Sequence, residues 1–165
     1  MLLAIYLNDH LAGATAGRDL ARRAARSNRG SEYGPALAGL AAEIDRDRES
    51  LLAIMRALDV SVDRFKVALG WGAEKLGRLK PNGRLTGYSP LSRLIELEAL
   101  ALGVHGKLAL WRSLEEAVGS GGTGDQDLSE LQRRAAAQLE QIETHRRRAA
   151  AEALADPRSA VAQAP

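Results

Sequence analysis

A chain of 165 residues, 45% of them apolar, can bury one good hydrophobic core, and its length gives no reason to expect a second domain. Without a single cysteine it has no disulfide, thiolate metal site or thiol nucleophile. The near-balance of 23 basic and 21 acidic side chains argues against wholesale binding to nucleic acid or to an anionic membrane. With only 4% aromatic residues and much alanine, the core must be built from Leu, Ile, Val and Ala at close helix spacing, which favours helices over sheets. The start of the chain, MLLAIYLNDHLAGATAG, has no basic flank and reads as folded helix, not as a signal peptide. Together with the absence of cysteine this suits a cytoplasmic protein.

In chain order, the first helix is predicted over residues 2–27. Leu2, Tyr6, Gly13, Ala16 and Leu20 fall on one stripe, with Leu3, Leu7, Ala14 and Gly17 beside it. The small residues of AGATAG would let a neighbouring helix approach closely. Asp9 lies on the same stripe and His10 at its edge. Asn28, Arg29 and Gly30 make a turn, and Ser31 caps a second helix over residues 32–58, with Leu37, Leu40, Ile44, Leu51, Met55 and Leu58 inward. Its apolar register skips one turn, where the chain offers Asp47 and Arg48. A shorter helix follows over residues 61–79, weakened by Gly70 and Gly72 at roughly 1 kcal/mol each relative to Ala. The turn-rich KPNGRLTGY then leads to the next long helix.

That helix, residues 90–118, is apolar on nearly every side and reads as the buried element around which the others pack. Arg93, Glu96, Glu98 and Lys107 interrupt it, so it reads poorly as a membrane span. Ser89 supplies a cap, Pro90 suits the first helical position, and the glycines from Gly119 onward end it. GSGGTGDQD is a flexible, polar linker. Asp127 and Glu130 have the spacing of a capping box opening a last helix over residues 128–155. The remaining residues, 156–165, read as a disordered tail.

Two long helices joined by a tight turn, a long connection carrying a short helix, and two more long helices form an order that resembles the ferritin-like superfamily. The resemblance implies an all-α, ferritin-like four-helix bundle with an accessory helix in the crossover connection. Members that bind two metals supply a carboxylate from each of two helices and an E-x-x-H pair from each of the other two. Asp9 and Glu98 stand where the single carboxylates would be. The pairs are missing: Glu43 is followed by Arg46, Glu140 by Glu143, and Glu143 by Arg146. This is the pattern of a degenerate member of the fold.

Polar residues nevertheless fall at or beside interior positions of the 3.6-residue period, namely Asp9, Asp47, Glu98, His105 and His145. Buried carboxylates need metals, cations or hydrogen-bond donors, and Arg48 and Arg112 are candidate partners. Two functions follow as expectations. In the first, the protein is a non-enzymatic bundle, a homodimer acting through protein contacts or a small ligand at the polar seam. In the second, those five residues hold iron or manganese as an atypical ligand set of an oxidase or oxygenase relative. A basic cluster of Arg64, Lys66, Lys75, Arg78, Lys80 and Arg84, flanked by Trp71 and Tyr88, reads as a solvated helix face with snorkelling stems in preference to a nucleic-acid patch.

Overall fold

A computed structural model of the chain describes residues 2–63 and 88–155. It is an all-α four-helix bundle, with helices α1 (Leu2–Ser27), α2 (Gly34–Ala57), α3 (Pro90–Val118) and α4 (Leu128–Leu154), and no strand among the described residues. None of these helices is long and apolar enough to cross a membrane. The predicted helix over residues 61–79 falls mostly outside the described residues; Ser61 to Asp63 are not helical. The basic cluster and the chain beyond Ala155 also lie outside them.

Local chemistry sets the ends of the helices. Ser89 Oγ accepts from the Ser92 N–H ahead of Pro90, and Gly119, at φ +64°, closes α3. Asp127 accepts from the N–H groups of Ser129 and Glu130. Glu130 pairs with Arg133 and not with the cap, so the expected capping box is only half made. Ser31 does not cap α2. Its hydroxyl donates to Asn28 O and accepts from Tyr33 N–H, which holds a turn, and α2 begins at Gly34 with Pro35 in its first turn. Gly34 is forced by that turn: a Cβ there would meet Asn28 O at 2.8 Å and Arg29 O at 3.0 Å. At the other end of α2, Asp59 takes φ +53° and Val60 N–H donates back to Met55 O, the six-to-one bond of a Schellman close. The supposedly flexible glycine linker contains a 3₁₀ turn over Ser120–Gly122 and a buried Thr123 that donates to Gln126 O.

The direction of each helix follows from two asparagines. Asn8, near the start of α1, donates to Ser61 O at 3.1 Å and accepts from Asp63 N–H at 2.6 Å. Asn28, just past the end of α1, donates to Tyr88 Oη and accepts from Arg93 Nε, both at 2.7 Å. The connection therefore leaves at one end of α1 and returns at the other, about 30 Å away by helical rise. So α2 and α3 run the same way, antiparallel to α1 and α4.

The core is largely aliphatic, around the fully buried Trp111 and Tyr33. In α2 the predicted inward residues are buried apart from half-buried Leu58, and Asp47 takes the core position where the register skips. The stripe predicted for α1 meets the core in part, through Leu7 and the half-buried Leu3, Tyr6, Ala14 and Leu20. Leu7, Leu11, Thr15, Ala21 and Ala24 point inward, whereas Leu2 and Gly13 are exposed. Periodicity centred this face slightly off, missing Leu11, Thr15, Ala21 and Ala24, because alanine and glycine give little contrast between sides. Nor is α3 buried all round: Leu102 is 74% exposed and Ile95 41%.

Candidate functional site

At mid-bundle the buried Asp47 carboxylate, on α2, meets cations from two other helices. Lys107 Nζ, from α3, donates to Asp47 Oδ2 and to Gln138 Oε1. Arg134 Nε, from α4, donates to Asp47 Oδ1 at 2.6 Å. The Gln138 amide donates to Asp47 Oδ2 at 3.0 Å and to Glu43 Oε2 at 3.1 Å. The carboxylate is thus fully partnered, which offsets the large cost of removing its charge from water. Lys107 has its pKa lowered, chiefly by desolvation, with the charge of Asp47 acting the other way.

Beside this network lies a cavity of about 320 Å³ between α1, α2 and α3. Its lining includes the buried Leu100, Val104 and Trp111 together with Lys107 and Asp47. Asp9, His10, Gly13, Ala14 and Gly17 of α1 form one wall, and Ala99, Gly103 and Gly106 of α3 another. A Cβ built on Gly13, Gly17, Gly103 or Gly106 would meet nothing within 4 Å. Gly13 and Gly17 of α1 therefore border open space instead of serving the close helix approach that AGATAG predicts, while Ala14 packs against the core. His10 lies edge-on to Tyr6 with ring centroids 4.5 Å apart, and burial lowers its pKa against the opposing effect of Asp9.

The five residues proposed as ligands do not converge. Asp9 and Asp47 line the same cavity. Glu98 is not interior; its half-exposed side chain lies 3.8 Å from Arg146 Nη1. His105 is exposed, and His145 packs against the Tyr33 ring at 5.7 Å. Among the described residues no three of His, Cys, Asp and Glu are grouped to hold a metal ion. The donor set does not fit a dimetal centre, because the groups around Asp47 are an ammonium, a guanidinium and an amide. Where the family pattern has E-x-x-H, Glu143 instead binds Arg146 through Nε at 2.7 Å.

No family model, curated protein or solved structure matches the chain. Its function must therefore be read from its own geometry.

Sequence reasoning missed Lys107 and Arg134 as the partners of Asp47. It offered Arg48, which instead donates to Thr15 Oγ1 at 3.1 Å and pairs with Glu49 at 2.9 Å, and Arg112, which is exposed. One signal was available for Lys107: Val104, Leu108 and Trp111 flank it in an apolar run, so its stem had to enter the core.

Proposed function

We propose that the protein is a non-enzymatic helical bundle that holds a small ligand in the cavity between α1, α2 and α3. One observation carries this reading: four glycines from the interiors of two helices border a single cavity, each with room for a side chain it lacks. A glycine inside a helix costs about 0.5–1 kcal/mol relative to alanine. Four cost about 2–4 kcal/mol, a sizeable part of the 5–15 kcal/mol that typically separates folded from unfolded chains. Close packing would explain such glycines, but nothing packs on these. Gly39 is equally open and lies away from the cavity, so openness alone does not mark a site; convergence does. The space is also chemically suited to a small molecule, being mainly apolar with a few polar groups at its edge.

The order and direction of the helices support a ferritin-like bundle in which Lys107 and Arg134 compensate the central carboxylate where relatives would use metals. Leu102 and Ile95, exposed seven residues apart on α3, support a homodimer through that helix. A monomeric mass by light scattering at micromolar concentration would refute the dimer.

The ligand reading is tested by nuclear magnetic resonance with a panel of small apolar molecules. Binding moves the amide signals of Gly13, Gly17, Gly103 and Gly106 together and leaves Gly39 in place. If no panel member moves the four, or if all five move alike, the reading is wrong.

A further inference from the structure

The lining of the cavity constrains both the charge and the bulk of what it can hold. Its titratable side chains are Asp9, His10, Asp47, Arg48 and Lys107. His10, with its pKa lowered from 6.5 chiefly by burial, is uncharged at neutral pH. Two carboxylates and two cations remain, so the lining carries no net charge. Each of the four is also engaged. Lys107 donates to Asp47 and Gln138, and Arg134, which does not line the cavity, donates to Asp47 as well. Arg48 donates to Thr15 and pairs with Glu49, and Asp9 has interactions of its own. An ionic ligand would lose its hydration and could gain a counter-charge only by drawing a side chain away from its present partner.

Bulk follows from volume. An apolar cavity of about 150 Å³ takes one benzene ring, so a space of about 320 Å³ takes a body of about two rings. Buried Ile44, Leu51, Leu100, Val104, Leu110 and Trp111 belong to its lining and offer apolar contact. A smaller molecule leaves part of that wall without partner atoms. We infer that the ligand is an uncharged, largely hydrocarbon molecule with the bulk of two fused six-membered rings. This rests on the reading of the cavity as a ligand site.

Four probes separate the two claims: benzene, naphthalene, 2-naphthoate and 2-naphthylmethylammonium, each titrated at neutral pH while the Gly103 amide signal is followed. Naphthalene binds tightest, about tenfold tighter than benzene from the added apolar area. Each ion binds about tenfold more weakly than naphthalene. Greater hydrophobicity alone favours naphthalene over benzene on any apolar surface, so a narrowed cavity decides the question of bulk. A Cβ on Gly103 meets nothing within 4 Å, and position 103 shares a face of α3 with Lys107 and Leu110, which also line the space. In Gly103→Leu the order reverses: benzene still binds and naphthalene does not. If that variant fails to fold, Gly103→Val gives the same comparison with a shorter side chain. Naphthalene no tighter than benzene in the wild-type protein, or either ion matching naphthalene, overturns the inference and leaves the cavity reading intact. Naphthalene binding the folded narrowed variant as tightly as the wild type also overturns it. If none of the four binds, the cavity reading itself falls and this inference with it.

Discussion

At the scale of single residues, two glycines give opposite answers to the same substitution. Gly34→Ala places a methyl group 2.8 Å from a backbone oxygen in the α1–α2 turn and should destabilise the protein by about 1–3 kcal/mol. Gly103→Ala meets nothing and should stabilise it by up to about 1 kcal/mol. Urea denaturation of the two variants measures both signs. Asp47 makes a harder demand. Asp47→Ala leaves the part-buried cations Lys107 and Arg134 without their carboxylate, and should cost about 3–5 kcal/mol in the same assay. Lys107→Met should cost less, since Asp47 keeps Arg134 and Gln138. The interior place of Asp47 was legible because it interrupts a clear apolar register. Its partners were not, because they come from helices 60 and 87 positions further along the chain. Glu98 was misplaced for the converse reason: in a helix apolar on most faces, no pattern says which side is out.

At the scale of helices, composition and capping chemistry located nearly every described boundary within two residues. Ser89, Pro90 and Asp127 act as their types predict. Register within α1 was legible only in part: Leu3, Tyr6, Leu7 and Leu20 meet the core as the pattern suggests, but a middle of alanine and glycine lacks the contrast that periodicity needs, and there Gly13 and Gly17 border the cavity. The junction of α1, α2 and α3 is bound by side chains instead. Asn28 and Glu96 both bond the Tyr88 hydroxyl, at 2.7 and 2.9 Å, while Arg93 lies 4.2 Å over the Tyr33 ring. Burial, foremost, raises the pKa of both phenols above 10. A group whose pKa rises on folding contributes stability that is present below its unfolded pKa and lost above it. Melting temperature should therefore fall as pH climbs above about 10, and the fall should be shallower in Tyr88→Phe. An identical slope in the two proteins would separate Tyr88 from the alkaline transition.

For the whole molecule, the all-α class and the order of the helices followed from punctuation in the sequence: turns at Asn28 and Gly119, caps at Ser89 and Asp127. The direction of α3 did not. It depends on where a long connection returns, and two bonds to Asn28 decide that. This direction sets Asp9 and Glu98 at different heights, so they could not have formed one site. The cavity was equally hidden, because glycine in a helix has the same sequence signature whether it admits a neighbour or keeps one out. The account holds that this bundle gives up stability to keep that space open for a ligand.

The most direct test replaces Gly13, Gly17, Gly103 and Gly106 together by alanine and measures stability and the binding of a small apolar molecule, cyclohexane, on the same protein. The account predicts a gain of about 2–4 kcal/mol if the four effects add, together with loss of binding. A variant less stable than the wild-type protein, or one that binds cyclohexane unchanged, would contradict it.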